Sequence, residues 1–534
     1  MQDSQSKLAA PDRIEAHGRH LSVWQLLTWL AVAAGTALRF CRLDHQSLWM
    51  DEGYTAWMVS HPLGQIVRLT RADTAPPLFY LLLRWWSDLF GHEPEAALRS
   101  MTALCSALTL ILAVGLARKF LFKPAAVAAA LWALALGFHQ VFYAQEARFY
   151  PLMALLLVAA MLCLLRHLAA QHRAWLIPLT LLLAASLYTH NVMMPYVASL
   201  ALVWLILPSH HRPRRRITDI ALTAAIVAIL YAPWGIFCLP NQLRIVHGEF
   251  WVSRPGATDI TNLIAWLADV PETWSWRAMG ARLHAPEFAG HILLAIGLAL
   301  VAASLLLSLL RQRGPRLRQA IAMILLALFP PLLAAAYSRL ATPILMTKTF
   351  LPSAALMPIV LLLPMNLALS PWARRAVGAG AILMLLLAAG DLLAYETVHQ
   401  NEDWRGVARW VAQLPPRHRL LVFVSEDGQL PFDYYYFYRP DESATGVPAA
   451  FLDRDPPRAM LRVQKAQDLA RLESRLAQQP YPQVILILSH LFWADPDELT
   501  LKKLQSLFPN AQRQTLGELT IVRFSRDNGG EVGP

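Results

Sequence analysis

The sequence is poor in charge and in cysteine. Only 16% of its 534 residues are charged, whereas soluble domains carry about 25%. The four cysteines, Cys41, Cys105, Cys163 and Cys238, form no CxxC pair and no Cys/His spacing, which argues against a zinc site or a disulfide framework. They lie in or beside apolar runs, as small buried residues do. The chain is instead 56% hydrophobic, with a mean hydropathy of +0.38.

Nucleotide-binding and metalloprotease motifs are absent from the sequence. It contains no GxxxxGK[ST], no GxGxxG after a strand and no HExxH. A phosphorylated donor would therefore have to reach the protein without cytosolic nucleotide chemistry, and a lipid-linked phosphate delivered through the bilayer would fit. The net charge of +11 does not predict a nucleic-acid partner, because the basic residues lie in short clusters between apolar runs.

Repeated apolar runs predict a mainly α, polytopic membrane protein. Each run is close to the roughly 20 residues that a crossing helix needs. The predicted spans, about 11 in all, are 22–40, 98–117, 125–143, 150–166, 174–190, 192–208, 217–238, 290–310, 317–338, 350–369 and 376–396. We expect a transmembrane domain over residues 1–397 with two long outer loops, 41–97 and 239–289.

Basic residues in the short loops predict the orientation, because cytoplasmic loops carry an excess of Lys and Arg. With the N-terminus in the cytoplasm, every strong basic cluster falls in a cytoplasmic loop, including RPRRR at 212–216 and RQRGPRLR at 311–318. The loop 41–97 then lies on the opposite side of the membrane.

The composition changes after residue 397. Helical patterns at 402–414, 466–479 and 495–508 alternate with strand patterns at 419–426, 483–490 and 517–525. This alternation predicts a soluble α/β domain over residues 398–525, on the extracytoplasmic side. Asp495 is expected to cap the third helix, and the polar tail 526–534 is expected to be disordered.

Two adjacent carboxylates, Asp51 and Glu52, follow the first span in LWMDEGYTAW (48–57). They could belong to an ordinary polar loop at the membrane surface. However, an aromatic and apolar setting raises the pKa of a carboxylate and suits it to proton transfer. Asp73, just before Pro76 and Pro77, could cap a helix or hold a divalent cation together with Asp51 and Glu52.

A second polar stretch, YAQEARFYPLMALL (143–156), lies at the predicted outer end of two spans. Arg148 could anchor in lipid headgroups or bind a phosphate. Gln145, Glu146 and Tyr150 are its neighbours and further candidates for that site.

Three more polar residues lie at predicted helix ends. His190 and Asn191 in YTHNVMMPY (188–196) are possible site residues, although a hydrogen-bonded interfacial histidine is the commoner case. Lys348 is the only charged residue between Arg339 and Arg374. It could extend to the interface or neutralise a phosphate.

The chain resembles the GT-C membrane glycosyltransferases, specifically bacterial glycosyltransferase family 39. That family is akin to the protein O-mannosyltransferases and to the 4-amino-4-deoxy-L-arabinose transferase of lipid A. The resemblance rests on LWMDEGYTAW, DTAPPLFYLLLRWWSDLFG, EAALRSMTALCSALTLILAVGLARKF, YAQEARFYPLMALL and TKTFLPSAALMPIV. It covers about residues 1–370 and continues into NEDWRGVARWVAQLP (401–415).

The resemblance implies a polyprenyl-phosphate-linked sugar donor and a lipid, glycan or protein acceptor at the outer face of a bacterial inner membrane. Asp51 matches the catalytic base of the family, Glu52 the second acid of the pair, and Asp73 the acid before the Pro-Pro pair. Arg148 and Lys348 match positions that meet the donor phosphate. A single displacement would invert the anomeric centre, and a divalent metal cation is left open as a cofactor.

Two positions depart from the family pattern. Ala75 stands where relatives often have His or Lys, so a donor or phosphate contact is missing or moved. Lys348 replaces an Arg, which keeps the charge but loses the bidentate fork.

Two other functions fit the composition. A transporter or lipid flippase of polyprenyl-linked substrates would also need many spans, but it predicts charged residues on broken helices near the bilayer midplane. A non-catalytic assembly protein would use the C-terminal domain for binding and leave the acidic pair without a role.

The orientation can be tested by cysteine labelling in a variant without native cysteines. A cysteine at Gln65 should react with a membrane-impermeant maleimide in spheroplasts, and a cysteine at Arg214 should react only after permeabilisation. The reverse pattern would place Asp51 in the cytoplasm and rule out the outer-face reaction.

Overall fold

The computed structural model describes residues 22–526 of the chain, apart from gaps at 92–94, 171, 210–212, 249–251, 270–302, 304–305, 307–308, 312, 367–370, 398–400, 415–418, 425–427, 438–458, 463–465 and 479–480. The predicted tail 527–534 and most of the predicted span 290–310 lie outside the described residues.

Long apolar helices form the N-terminal part. They are α1 (Val23–Phe40), α5 (Glu95–Phe120), α6 (Pro124–Leu136), α7 (Phe138–Phe142), α8 (Tyr150–Ala170), α9 (Leu176–Thr189), α10 (Met193–Ile206), α11 (Pro213–Phe237), α14 (Pro315–Leu340), α15 (Leu351–Leu362) and α16 (Pro371–Thr397). Within the described residues, seven helices are long and apolar enough to cross a membrane, or eight if the bent α6–α7 pair is one span. The polytopic, mainly α prediction is confirmed, with α9 and α10 as shorter apolar helices.

Shorter helices occupy the two predicted outer loops. They are α2 (Met50–Ser60), α3 (Leu63–Leu69) and α4 (Leu78–Phe90) in the first loop, and α12 (Leu239–His247) and α13 (Ala257–Leu267) in the second. Helix α4 is amphipathic: Phe79 and Leu83 are buried, while Trp85 and Leu89 are exposed. This matches the sequence pattern of an interfacial helix.

A sharp bend separates α6 from α7. The chain turns by 54° there, and Asp269 from the second loop caps α7 by accepting hydrogen bonds from the backbone N–H groups of Phe138 (2.8 Å) and His139 (3.0 Å). A Cβ at Gly137 would lie 2.9 Å from an Asp269 oxygen. The bend therefore needs glycine, and it fixes the second loop against the helices.

The C-terminal part is a five-stranded mixed sheet with helices on both faces. The strands are β1 (Arg419–Phe423), β2 (Ala459–Arg462), β3 (Gln483–Leu488), β4 (Asn510–Leu516) and β5 (Leu519–Ser525), in the order β2-β1-β3-β5-β4. The helices are α17 (Trp404–Gln413), α18 (Gln429–Phe437), α19 (Ala466–Gln478), α20 (Leu491–Ala494) and α21 (Leu499–Leu507). The β2–β1–β3 pairs are parallel, and β5 is antiparallel to β3 and β4. The predicted α/β fold is confirmed.

Sequence patterns missed some elements of this sheet. Strand β4 is a mostly exposed edge strand of polar residues, so no apolar alternation marks it. Strand β2 and helix α18 were also not predicted. The helix predicted at 495–508 begins at Leu499, and its N-cap is Glu498 and not Asp495. Asp495 still binds this N-terminus, through the backbone N–H groups of Leu499 and Thr500 at 2.9 Å each.

The C-terminal part packs directly on the helix that carries the acidic pair. The Tyr435 hydroxyl of α18 donates to Glu95 (2.8 Å) and accepts from the Leu48 N–H (2.7 Å). Arg405 of α17 forms an ion pair with Glu95 at 2.6 Å. A Cβ at Gly53 of α2 would lie only 2.5 Å from Pro431 of α18. Helix α2 therefore packs closely against α18 of the C-terminal part.

This contact predicts opposite effects at two glycines. Gly53→Ala should lower the free energy of unfolding by roughly 1–3 kcal/mol, because the new methyl group overlaps Pro431. Gly64→Ala in α3 is the matched control: nothing lies within 4 Å of its Cβ, so helix propensity should make it neutral or stabilising by up to about 1 kcal/mol. Denaturation in detergent measures both, and equal effects would contradict the packing.

Candidate active site

Three distant segments bring a carboxylate and two cations together. Asp51 lies in the first turn of α2, where the helix dipole favours negative charge. Its Oδ2 lies 2.9 Å from Lys348 Nζ and 3.6 Å from Arg148 Nη2. The Asp51 side chain keeps 23% of its surface exposed. A single accessible carboxylate therefore lies between two positive charges.

Both cations are fixed by further contacts. Arg148 Nη1 donates to the Asp51 carbonyl (3.2 Å) and to the Thr55 hydroxyl (3.3 Å), and its guanidinium lies over the Phe149 ring. Lys348 Nζ lies 4.9 Å from the ring centroid of Trp49 and 5.9 Å from that of Tyr150. Aromatic faces attract cations at such distances. Tyr150 thus lines the site through its ring.

The pKa of Asp51 differs from the sequence expectation. Burial acts to raise this pKa, but the charges of Arg148 and Lys348 outweigh it and hold the pKa at about 2. The expectation that an apolar setting raises it was wrong, because the sequence did not reveal two cations next to the carboxylate. A carboxylate with so low a pKa is a weak proton acceptor in this geometry.

Glu52 points away from Asp51, because neighbours on a helix differ by about 100° in direction. Both residues lie in the first turn of helix α2. Glu52 is fully buried, and its two oxygens accept from Arg99 Nε (2.7 Å) and Nη2 (2.5 Å). The Ala147 N–H adds a third bond at 2.8 Å. These bonds occupy both oxygens of Glu52, which therefore has a structural role in this geometry.

Asp73 lies in a separate hydrogen-bonded turn. It accepts from the Thr74 N–H (2.6 Å) and, more weakly, from the Tyr80 hydroxyl (3.4 Å). Burial raises its pKa. The Tyr54 hydroxyl of α2 acts in the opposite direction and lowers this pKa, so the turn lies near the helix that carries Asp51.

Two of the remaining predicted residues, Gln145 and Asn191, form hydrogen bonds that join separate segments of the chain. Gln145 donates to the carbonyls of Leu38 and Cys41, away from the cations. Asn191 donates to the Thr74 carbonyl and to the Gln242 side chain. These contacts join loops and leave no amide directed at the Asp51 site.

His190 is a buried, neutral histidine. Its Nδ1 accepts from the Val192 N–H at 3.1 Å, and its ring packs on Phe149. Burial and the charge of Arg148 lower its pKa to about 3. It therefore supports the Arg148 segment without carrying charge.

Glu146 differs from Gln145, Asn191 and His190 in having a buried polar atom without a hydrogen-bond partner in the described part of the chain. It is 5% exposed, and its Oε2 has no hydrogen-bond partner among the described residues. Burial and the nearby charge of Glu52 raise its pKa well above the ordinary value. A buried carboxyl oxygen without a protein partner is costly unless water or another group binds it.

The acids do not form a metal site. In the part of the chain that the structure describes, no group of three or more His, Cys, Asp or Glu side chains is placed to hold a metal ion. Asp51, Glu52 and Asp73 are engaged separately by Lys348, Arg99 and the turn at 73–80. The expectation of a cation shared by these acids does not fit this geometry.

Sequence reasoning missed the residues that orient the site. Arg99 is one of many charges near span ends, and its partner Glu52 is 47 positions away. Glu402, which accepts from the Met50 N–H at 3.3 Å, comes from the C-terminal part. The only sequence signal was EAALRS and NEDWRG within the stretches that carry the family resemblance.

The Glu52–Arg99 pair gives a stability prediction. Arg99→Met should lower the free energy of unfolding by about 3–5 kcal/mol, because it leaves a buried carboxylate unpaired. Adding Glu52→Gln should recover part of this loss. Arg42→Met, which breaks the more exposed pair with Glu396, should cost no more than about 1 kcal/mol. Chemical denaturation compares five proteins: the wild type, Arg99→Met, Glu52→Gln, their double variant and Arg42→Met. Additive effects of the first two substitutions in the double variant would contradict the pairing.

Comparison with known proteins adds to this geometry. A family model described as dolichyl-phosphate-mannose-protein mannosyltransferase matches residues 74–237, which is less than half of the chain. No curated protein sequence matches. Among solved structures, ArnT from Cupriavidus metallidurans bound to undecaprenyl phosphate is 15% identical with a TM-score of 0.55, over 93% of this chain and 97% of that one.

Two structures of the Archaeoglobus fulgidus oligosaccharyltransferase match at 12% identity and a TM-score of 0.51. In the first, in complex with Zn and sulfate, the match spans 90% of this chain and 70% of the oligosaccharyltransferase chain. In the second, named AglB and in complex with an inhibitory peptide and a dolichol-phosphate, the match spans 93% of this chain and 74% of the AglB chain. At these identities the matches establish the fold. Together with the family model they confirm the resemblance found in the sequence, and the chain has the fold of the GT-C superfamily of membrane glycosyltransferases.

Proposed function

We propose that this chain transfers a sugar from a polyprenyl-phosphate donor to a lipid, glycan or protein acceptor at the outer face of a bacterial inner membrane, with Asp51 as the general base. The observation that carries the proposal is the contact of one partly exposed carboxylate with both Lys348 and Arg148. A reaction that releases a lipid phosphate needs these two elements, a base and a cationic phosphate site, within one small volume.

The cations suit the phosphate of the donor. Arg148 and Lys348 carry two positive charges against the single negative charge of Asp51, so the site retains an unneutralised charge. A guanidinium can bind phosphate through two parallel hydrogen bonds, and an ammonium adds a point charge. The same charges would stabilise the lipid phosphate as it leaves.

Donor binding would also activate the base. The pKa of Asp51 is held at about 2 because Arg148 and Lys348 face it. Once these cations bind the donor phosphate, Asp51 would lose part of their stabilisation and its pKa would rise. Asp51 would then take the proton from the acceptor while the acceptor oxygen or nitrogen attacks the anomeric carbon. One displacement of this kind inverts that carbon.

A lipid-borne substrate is supported by an apolar groove beside the loop that carries Asp73. Its volume is about 590 Å³. The lining includes Val67, Leu81, Trp234 and Phe237, with Arg71 as the charged member. Undecaprenyl phosphate and dolichol-phosphate are bound in the related ArnT and AglB structures, so lipid phosphates are compatible with this fold.

The role of Asp51 can be tested in cells that lack this chain. Asp51→Asn should lower sugar transfer by about 10²–10⁴-fold, the contribution of a positioned base, while the melting temperature stays near that of the wild type. Mass spectrometry of the glycolipids and glycoproteins measures transfer. Asp88→Asn is the matched control, because Asp88 is half exposed and pairs with Arg84 on the surface of α4. Full complementation by Asp51→Asn would favour the transporter or the assembly protein.

Lys348 should control the pH dependence. A cation next to Asp51 lowers its pKa, so Lys348→Met should raise that pKa and move the acidic limb of the activity profile to higher pH. Lys348→Arg keeps the charge and should leave the limb near its wild-type position. Values of kcat/KM for the purified variants from about pH 2 to 8 measure the shift. An unshifted limb in Lys348→Met would contradict Asp51 as the titrating base.

A further inference from the structure

A cavity lies between the membrane helices and the C-terminal part, and Lys348 forms part of its lining. Its volume is about 300 Å³. Both parts of the chain supply its walls, which include Trp49, Phe138, Phe142, Tyr143, Glu146, Lys348, Asn401, Glu402, His490 and Glu518. The cavity therefore exists only because the two parts are docked.

The C-terminal wall is pre-arranged by hydrogen bonds. Glu402 is 6% exposed; its Oε1 lies 3.1 Å from His490 Nδ1, and its Oε2 accepts from Trp404 Nε1 (2.8 Å) and from the Met50 N–H. His490 adopts a left-handed backbone conformation with φ 49° and ψ 38°. That conformation is uncommon for a residue other than glycine, and such strain concentrates at functional sites.

The opposite wall supplies the unpaired acid. Glu146 lines the cavity with a buried Oε2 that has no partner among the described residues. The rings of Trp49, Phe138, Phe142 and Tyr143 complete the lining. Apolar walls with a few convergent polar groups are typical of small-ligand sites. A sugar ring matches this mixture, because its C–H faces pack on aromatic rings and its hydroxyls donate to carboxylates.

The position of Lys348 restricts which sugar can lie there. Lys348 lines the cavity and also contacts Asp51 in the proposed phosphate site. In a polyprenyl-phosphate donor the sugar is bonded directly to the phosphate. A donor phosphate at Lys348 would therefore leave its sugar within reach of this cavity.

We propose that this cavity binds the sugar ring of the donor, with Glu146 and the Glu402–His490 pair as its hydrogen-bonding partners. The proposal rests on the function proposed above and assigns the C-terminal part to the active site. The two cationic groups in the lining are already paired, Lys348 with Asp51 and His490 with Glu402, so neither is left to bind a carboxylate on the sugar. The cavity should therefore accept neutral sugars and reject sugars that carry a carboxylate.

The test uses the full chain in nanodiscs and synthetic farnesyl phosphates. Calorimetry compares plain farnesyl phosphate with its glucosyl, galactosyl, mannosyl, arabinosyl and glucuronyl derivatives. At least one neutral sugar should tighten binding about tenfold over plain farnesyl phosphate, and the glucuronyl derivative should not. Glu146→Leu should reduce this gain by about 3–10-fold, the range for one lost hydrogen bond to a buried group.

Two further variants keep the test decisive. Phe142→Ala removes an aromatic wall and should also reduce the sugar-dependent gain, which matters if Glu146→Leu does not fold. Glu473→Leu is the control, because Glu473 is half exposed and pairs with Lys503 elsewhere in the C-terminal part. It should bind every derivative like the wild type.

The outcomes separate the two proposals. If plain farnesyl phosphate does not bind, or binds equally to Lys348→Met, the proposed phosphate site and function fail. If plain farnesyl phosphate binds but no neutral sugar adds affinity, only the sugar site is overturned. The sugar site is also overturned if the gain persists in both Glu146→Leu and Phe142→Ala, or if the glucuronyl derivative binds best.

Discussion

The buried ion pair between Glu52 and Arg99 is the interaction on which the geometry of the site depends. Arg99 also donates to the carbonyls of Leu43, Gln46 and Ser47, and Glu52 accepts from the Ala147 N–H. One pair thus fixes the chain before α2, the first turn of α2 and the segment next to Arg148. A buried pair of this kind contributes little net stability but defines one arrangement strictly, because either charge left alone would be very costly.

The burial of Glu52 against Arg99 also determines the surroundings of its neighbour Asp51. Asp51 and Glu52 are adjacent in sequence, yet one is partly exposed between two cations and the other is sealed around a guanidinium. The helix produces this division, because consecutive side chains leave it in different directions. The exposed member keeps its negative charge, because the two cations hold its pKa low. Glu52, the buried residue, joins α2 to Arg99 and to the segment at Ala147.

The C-terminal part is more than an appended domain in this structure. Tyr435 and Arg405 anchor it at Glu95, and Pro431 fits against Gly53 without space for a methyl group. Glu402 reaches the N-terminus of α2. Movement of this part would therefore shift the helix that carries Asp51 and open the cavity at Glu146. Residues of both parts of the chain therefore hold α2 in place and line the cavity.

The sequence by itself determined the membrane helices, the α/β character of the C-terminal part and the stretches that carry Asp51, Arg148 and Lys348. Apolar runs and their periods encode local structure directly, so these features do not depend on distant contacts. Only the tertiary structure decided that Glu52 is buried against Arg99, that Gln145 and Asn191 join loops, and that Glu146 lies in a cavity. Arg99 is 47 positions from Glu52 in the chain, and Glu402 is 352 positions from Met50. Side-chain electrostatics depend on distance in space, and the sequence gives no measure of that distance before the chain is folded.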